Sequence, residues 1–347
     1  YELVFGDWIS DVCSSDLLFL RAAASMVLIK TPLRIPLAGG LTDLKGYADR
    51  FGGVTISATI DKYIFVAIKK NLGKVFDLHY LNTYEKAVDV ESIRHNHIRE
   101  AIKLTGQGNS HLDLTIMNDL QHEGGLGSSG ALTAALLSAL HGHKDEAADA
   151  ERIIEESSRI EMDILEGASG YHDHTITHLG GFRWLDYIDG RPKDRPMEVP
   201  EETVERFSRR LMLFYSGFHA KTKPSLALLA ANLQDALPRM DAIKQNAHDM
   251  LAALRRGDID GAGECVQRQQ DLKQKLPGSF ENEFVIETMR RARKLGAFVQ
   301  IPGGKVGSFL VVYRPLGMKR KAVIRHFGDL QYIPFKLVKE GTRSVRL

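Results

Sequence analysis

The stretch GGLGSSGALTAALLSAL, residues 124 to 140, constrains this chain more than any other part of it. Glycine and serine pass without a charge into alanine and leucine, so it could be a membrane span, a buried helix or an anion-binding loop. The helical part from Ala131 to Leu140 covers about half of the roughly 20 residues that a bilayer needs, which excludes the span. A buried helix explains the alanines and leucines, but not the four glycines and two serines before them.

These glycines and serines follow a predicted strand, LDLTIMNDL at 112 to 120, and open the predicted helix. Glycine permits tight turns and close approach of a ligand, and the first turn of a helix presents unpaired N–H groups and a positive dipole end. This combination is typical of phosphate binding. The P-loop pattern G-x-x-x-x-G-K-[ST] does not occur, and GGKVGS at 303 to 308 has another order. The loop therefore needs partners from elsewhere in the chain.

Composition limits the classes of protein to consider. With 347 residues, 44% of them apolar and 26% charged, the chain is long enough for two globular domains of unequal size. The net charge is only +2 and no long block of like charge occurs, so neither nucleic acid nor a charged membrane surface is the expected partner. Two cysteines, Cys13 and Cys265, are too few for a disulfide framework, which favours the cytoplasm.

The pattern along the chain predicts two domains, 26–200 and 201–347. Residues 27 to 69 are rich in β-branched runs, helical periodicity follows the glycine loop, and the polar, proline-bearing stretch from 188 to 202 breaks the pattern. Beyond it a strand, several helices and paired strands predict a compact α+β unit. Residues 1–25 lack the features of a secretion signal and resemble a translated sequencing adapter, which predicts a non-native leader; a genuine disordered or helical leader is the alternative.

Three segments carry a resemblance to a known family. PLRIPLAGGLTD (32 to 43), GGLGSSGA (124 to 131) and IPGGKVGSF (301 to 309) resemble, in this order, the three motifs of the GHMP kinase superfamily. TIDKY at 59 to 63 and GYHDHTITHLGGF at 170 to 182 are most similar to its sugar kinases, the heptose 7-phosphate kinases and galactokinases. The resemblance implies an α+β, two-lobed fold: an N-terminal α/β lobe with a left-handed crossover and a C-terminal ferredoxin-like lobe, with the site between them.

The resemblance also implies the roles of the donor side. ATP and Mg²⁺ are the expected cofactors, and a hydroxyl of Ser128 or Ser129 with the carboxylate of Glu161 would hold the metal. The ATP phosphates would lie on the loop residues Gly124, Gly125, Leu126, Gly127, Ser128, Ser129 and Gly130. Glu161 comes twelve residues before Asp173, as the metal ligand and base of galactokinases do. Asp173 would accept the proton of the sugar hydroxyl, and Arg34 would steady the charge that develops on the phosphoryl group.

On the acceptor side, the resemblance assigns the substrate to residues from the first and third motifs and from the segment around Asp173. They are Gly39, Gly40, Thr42, Asp43, His172, His174, Gly303 and Gly304. Tyr171, His172 and His174 replace the lysine and two glutamines usual in the heptose kinase branch, and Lys305 and Val306 replace glycines of the third motif. With His178, these histidines have a spacing that zinc sites also use, although no cysteine is near them.

The sequence thus predicts a cytoplasmic, ATP-dependent kinase that phosphorylates a sugar or sugar phosphate, with a homodimer as its possible assembly. Two alternatives stay open. One is a kinase for a non-sugar acceptor such as mevalonate or homoserine. The other is a catalytically silent relative that binds nucleotide and sugar, which the altered third motif favours and the retained Arg34, Glu161 and Asp173 oppose.

Overall fold

A computed structural model describes residues 26–120, 124–167, 169–217, 223–278, 282–303 and 308–347. The predicted leader, residues 1–25, lies outside these ranges. The described strands are β1 (Val27–Ala38), β2 (Gly53–Lys70), β3 (Phe76–Tyr80), β4 (Thr83–Ala87), β5 (Leu112–Asn118), β6 (Phe182–Ile188), β7 (Arg191–Arg195), β8 (Leu211–Tyr215), β9 (Phe298–Gln300), β10 (Phe309–Tyr313), β11 (Gln331–Ile333) and β12 (Arg343–Arg346).

The described helices pack on both sheets that these strands form. They are α1 (Lys45–Phe51), α2 (Asn96–Leu104), α3 (Ser128–His143), α4 (Ala150–Ser158), a π-helix (Arg159–Ile164), α5 (His172–Leu179), α6 (Glu201–Ser208), α7 (Lys223–Ala231), α8 (Leu233–Arg255), α9 (Ile259–Lys273), α10 (Glu283–Leu295) and α11 (Arg320–His326).

Among the described residues, the first sheet contains eight strands around the long strand β2. Its main order is β12-β1-β2-β5-β3-β4, and β6 pairs with the first part of β2 and carries β7 at its edge. In β1 the residues Val27 and Ile29 are buried and Lys30 is exposed, whereas every residue from Thr31 to Ala38 is buried. This burial arises because α3 and the later helices α8 and α9 all contact β1. The strand that carries Arg34 therefore lies where both halves of the chain meet.

Helix α3 is the central helix of the first unit. Ala131, Ala134, Leu137 and Leu140 are fully buried, and the helix contacts β1, β2, α2, α4 and α5. A helix that is apolar on all sides is stable only inside a core. The structure thus confirms that the alanine and leucine half of the opening stretch is a core helix, and it fixes the glycine loop at that helix's N-terminus.

The second sheet is antiparallel, in the order β11-β8-β10-β9. Successive residues of β8 point to two different cores, as the period of two in a strand requires. Met212 and Phe214 pack against α10 and α11, while Leu211 and Leu213 belong to the large core shared with β1 and α3. This second sheet with its helices, beside the first unit, confirms the expected mixed α and β fold class.

The stretch expected to break the pattern, 188 to 202, was interpreted wrongly in its first half. Strands β6 and β7 form a hairpin there, and its turn residues Asp189 and Gly190 have φ values of 51° and 71°. Asp-Gly is a usual sequence of such a two-residue turn. The interpretation of this stretch considered only its prolines and polar residues and overlooked that signal. The chain end also returns to the first sheet, because β12 pairs with Val27–Lys30 of β1. The division at residue 200 stays a prediction.

Candidate active site

A cleft of about 870 Å³ lies where the three sequence motifs meet. Its lining draws on the N-terminal sheet, the glycine loop, the π-helix, the start of α5 and the later helix α9. Motif residues in the lining are Arg34, Gly40, Asp43, Gly125, Gly127, Ser128, Ser129, Glu161, His172, Asp173 and Gly303. Most of the predicted site residues are therefore brought together around one cavity.

The glycine loop packs too tightly for any side chain at its key positions. Gly125 has φ +82°, and a Cβ there would lie 2.3 Å from the carbonyl oxygen of Pro302, in the third motif. Gly127, with φ +76°, is the N-cap of α3 and gives it no side-chain cap. The first-turn N–H groups of α3 therefore receive no side-chain acceptor from the cap, which suits a bound anion.

Gly130 also packs closely against α5. A Cβ at this position would lie 2.5 Å from the backbone nitrogen of His174 and 2.7 Å from Cβ of Asp173. The absence of a side chain lets α3 and α5 approach closely, which sets Asp173 beside the loop. Leu126 likewise contributes its backbone, since its carbonyl accepts a hydrogen bond from the Arg34 N–H at 3.0 Å and its side chain lies in the core.

Arg34 and Asp173 form the charged centre of the cleft. The Arg34 Nε and Nη2 atoms donate to Oδ1 of Asp173 at 3.0 and 2.5 Å, and Nη1 donates to the carbonyl of Gly125. Arg34 is buried, whereas the Asp173 side chain keeps 31% exposure toward the cleft. Burial by itself would raise the pKa of Asp173, but the Arg34 charge and His172 outweigh it and hold the pKa well below the ordinary value. Asp173 is therefore ionised at neutral pH.

Asp43 is buried in a strained turn beside this centre. Its Oδ1 accepts from the Leu41 N–H at 3.1 Å and its Oδ2 from the His172 N–H at 3.3 Å. Leu41 has φ +83°, a conformation that costs a non-glycine residue free energy and occurs mainly at functional sites. Burial raises the pKa of Asp43, and the nearby Asp173 charge adds to this rise against the opposing effect of His172. No ion pair found among the described residues includes Asp43.

The other acceptor-side residues differ in their access to the cleft. Gly40 lines it, but the Thr42 side chain is fully buried and donates to the carbonyls of Gly39 and Val54, both at 2.8 Å. Gly39 has φ +78° and a Cβ there would meet the Val54 carbonyl oxygen at 2.1 Å. Thr42 and Gly39 thus stabilise the turn, whereas Gly40 and Asp43 line the cleft.

The two predicted histidines, His172 and His174, also differ in their access to the cleft. His172 lines the cleft, contacts Ser57 through Nε2 at 2.5 Å and places Nδ1 3.3 Å from Asp173. His174 is fully buried, bonds Ser158 at 2.7 Å and does not line the cleft. Burial lowers the pKa of His174 to about 4, so it is neutral. In the described part of the chain no group of three or more metal-ligating side chains occurs, so the zinc interpretation has no site there.

Glu161 is the centre of a hydrogen-bond cluster that the sequence revealed only in part. It lies on the π-helix, a form frequent at functional sites, and accepts from Ser129 at 2.8 and 3.0 Å and from Thr133 at 2.6 Å. His97 Nε2 lies 3.3 Å from its Oε1. Burial opposes ionisation, but these donors lower the pKa of Glu161 below its ordinary value. A buried carboxylate beside a hydroxyl offers the oxygen ligands that Mg²⁺ prefers.

Helix α9 supplies two cleft residues that sequence reasoning missed. Gln269 accepts from the Gly39 N–H at 3.0 Å and donates to the Gly40 carbonyl at 3.1 Å, and Lys273 donates to the carbonyl of Gly303 at 3.2 Å. One helical turn separates them, so both project from one face. Their spacing in QQDLKQKL was the available signal, but nothing local distinguishes it from a solvated helix. Gly303 lines the cleft, whereas Gly304 lies outside the described residues.

Comparison with known proteins finds a family match for part of the chain. Residues 96–181, which include the glycine loop, Glu161 and Asp173, match the family described as "GHMP kinases N terminal domain". This part of the chain is therefore similar to the GHMP kinases. Among the described helices, none combines the length and the apolar character that a membrane span needs.

The most similar relatives include both sugar and mevalonate kinases. A D-glycero-alpha-D-manno-heptose 7-phosphate kinase of Campylobacter jejuni is 25% identical over 338 residues, covering 92% of this chain and 98% of the relative. A mevalonate kinase of Archaeoglobus fulgidus is 25% identical over 224 residues, covering 62% and 70%. A solved D-glycero-D-manno-heptose 1-phosphate kinase from Bacteriodes thetaiotaomicron superposes with a TM-score of 0.76 at 20% identity, over 92% of this chain and 99% of that one. The chain shares the fold of that solved structure.

Proposed function

We propose that the protein is an ATP-dependent kinase that transfers the γ-phosphoryl group to a hydroxyl of a sugar phosphate of the heptose 7-phosphate type. The observation that carries the proposal is the Arg34–Asp173 pair, which sets an ionised carboxylate between the phosphate-binding loop and the Asp43 turn. Similarity to a heptose 7-phosphate kinase over nearly its full length supports the acceptor class.

The donor nucleotide fits an apolar part of the cleft lining. Side chains from β2, β3, β5 and α3 form this part together with Asn96 and Asn118; they are Ile64, Tyr80, Ile116 and Leu132. This wall suits a base and ribose, and the uncapped N-terminus of α3 suits their phosphates. Tyr80 also bonds Glu85 at 2.6 Å, which fixes its ring.

Mg²⁺ fits the donor set around Glu161, because one buried carboxylate and the Ser129 hydroxyl leave the remaining positions to water and phosphate oxygens. When bound, the ion would neutralise phosphate charge and fix the phosphate geometry. His97 and Thr133 orient the Glu161 carboxylate. Ser128, the first residue of α3, lines the cleft and is the second candidate hydroxyl.

In the transfer step, Asp173 accepts a hydrogen bond from the acceptor hydroxyl and takes its proton as the new P–O bond forms and the bond between the γ-phosphorus and the bridging oxygen breaks, releasing ADP. Its low pKa makes it a weak base, which is sufficient because the transition state of phosphoryl transfer is loose and needs little deprotonation early on. Arg34 fixes the orientation of this carboxylate and holds positive charge beside the phosphoryl group. Asp43, His172 and the backbone at Gly40 orient the acceptor.

The alternatives predict different outcomes of one experiment. ADP release with Mg-ATP is measured for heptose 7-phosphate, heptose, hexoses, hexose phosphates, mevalonate and homoserine, with Asp173→Asn as the control that removes the carboxylate. We expect the highest kcat/KM for a sugar phosphate. Turnover of mevalonate or homoserine but of no sugar would contradict the acceptor class. Binding of ATP and sugar phosphate without turnover of any compound would favour the silent relative. A cytoplasmic location and a homodimer stay predictions.

A further inference from the structure

The reaction centre contains a buried cation that no motif accounts for. Among the described residues that line the cleft, only Arg34 and Lys273 carry a Lys or Arg charge. Arg34 is paired with Asp173, whereas no ion pair found among the described residues includes Lys273. Lys273 is only 4% exposed. A buried ammonium without a carboxylate is costly unless another anion compensates it, so its surroundings indicate a ligand.

The hydrogen bonds of Lys273 leave capacity for such an anion. Its Nζ donates to the carbonyl oxygens of Ile301 and Gly303, which are neutral groups of the third motif. An ammonium has three N–H donors, so one stays available toward the cleft. Gly303 in turn packs against Gly125, with its potential Cβ 2.9 Å from the Gly125 Cα. Lys273 therefore lies where the third motif contacts the phosphate loop.

The position also defines which anion it would meet. Arg34 donates to the Gly125 carbonyl, so both cations border the same point of the loop, next to the Asp173 carboxylate. That point is where the transferred group must lie if the proposed function holds. Gln269, one turn earlier on α9, holds the acceptor turn at Gly39 and Gly40. One face of α9 thus reaches the acceptor turn and the phosphate loop together.

We propose that Lys273 is a further catalytic residue, whose ammonium contacts the phosphoryl group during its transfer from nucleotide to acceptor. The proposal rests on the proposed function for the identity of that group. Burial, with the Arg34 charge as a smaller cause, lowers the pKa of Lys273 to about 7. The charged groups that face it are Arg34 from β1 and, through Arg34, Asp173 from α5; the contacting segment 301–303 has no titratable side chain. An arriving phosphoryl group would raise the pKa again and draw a proton to Lys273.

Nucleotide binding gives a test that is independent of turnover. Mg-ATP and Mg-ADP are titrated calorimetrically at pH 8 in two buffers of different ionisation enthalpy. We expect wild type to take up close to one proton with Mg-ATP and clearly less with Mg-ADP, because a group with a pKa near 7 is about nine-tenths neutral at pH 8. Lys273→Met should abolish this proton uptake and weaken the binding of Mg-ATP by about ten- to a hundredfold, with a smaller effect on the binding of Mg-ADP.

Two further variants separate contact from packing. Lys275→Met removes a charge from an exposed position two residues away and should behave as wild type. Lys273→Arg keeps a cation and should retain ATP preference over ADP without the proton uptake, since arginine stays charged.

The proposal is overturned if Lys273→Met keeps the proton uptake, or if it weakens both nucleotides equally, as loss of packing would. It is also overturned if nucleotide binding is unchanged and only the KM of phosphorylated acceptors rises, since Lys273 would then bind the acceptor's own phosphate. If wild type takes up the proton with Mg-ATP and phosphorylates mevalonate or homoserine but no sugar, the proposed acceptor class fails and the inference on Lys273 stands.

Discussion

Asp43 and Asp173 face the same cleft but lie in opposite electrostatic surroundings. Asp173 contacts a buried guanidinium and has a pKa far below the ordinary value, whereas Asp43 accepts only backbone N–H groups and has a raised pKa. Burial favours protonation of both carboxyls, so the difference comes from Arg34 and from the hydrogen bond of His172 to Asp173. The comparison indicates that different neighbours keep one of two nearby carboxylates ionised, as proton transfer requires, and leave the other suited to recognition.

The largest effect is expected from Asp173→Asn. The amide keeps the size of the side chain but cannot take the hydroxyl proton, so kcat should fall by about 10²- to 10⁴-fold while the Kd of Mg-ATP changes only a few-fold. Steady-state kinetics and calorimetry check both values. Asp163→Asn, at an exposed position of the π-helix, serves as the charge control. Unchanged turnover in Asp173→Asn would remove this residue from the mechanism.

A second variant displaces Asp173 without changing either carboxylate. In Gly130→Ala the new methyl group would meet the backbone of α5 at His174 and Cβ of Asp173, so α5 must shift. A displacement of about 1 Å at the reaction centre costs on the order of a hundredfold in kcat. Gly142→Ala, near the other end of α3, meets only the Val27 side chain at 3.2 Å and is the matched control. Equal kcat for both variants would show that the close approach of α3 and α5 does not set Asp173.

Asp43→Ala tests the recognition side. We expect a higher KM for the sugar acceptor and a loss in kcat/KM worth about 1.5 to 3 kcal/mol, the range for hydrogen bonds to a charged group, with the Kd of Mg-ATP nearly unchanged. Kinetics with several acceptors check this. If no acceptor's kinetics change, the sugar assignment of Asp43 is wrong, although the kinase assignment is unaffected.

The smallest effect is expected in the dependence of the free energy of unfolding on pH. The folded pKa of Asp43 lies above its unfolded value, so its ionisation costs stability as the pH rises above about 4 through the folded pKa. The folded pKa of Asp173 lies below its unfolded value, so its contribution is present above pH 4 and is lost in more acidic solution. Urea unfolding should therefore show that Asp43→Asn flattens the decline of stability toward neutral pH, while Asp173→Asn flattens the acid loss. Parallel curves for wild type and both variants would contradict this assignment.

The sequence predicted those parts of the site whose residues form a recognisable local pattern or motif. Gly125 and Gly127 need positive φ in a loop before a helix, and such a run of glycines is visible in any sequence. Arg34, Asp43, Glu161 and Asp173 were assigned from the family resemblance, and the structure brings them to one cleft. Thr42 and His174 carry the same kind of motif signal, yet their side chains are used inside the protein.

The sequence by itself determined the elements that depend on neighbouring residues: the core helix α3, the uncapped glycine loop and the paired strands β9 and β10. Only the tertiary structure decided which distant residues join them. His97 reaches Glu161 across 64 positions, and Lys273 reaches the third motif from a helix whose sequence reads as polar. Strand β12 likewise completes the first sheet from the far end of the chain. The physical reason is that backbone propensity acts over a few residues, whereas burial, charge pairing and cleft access depend on how the whole chain packs.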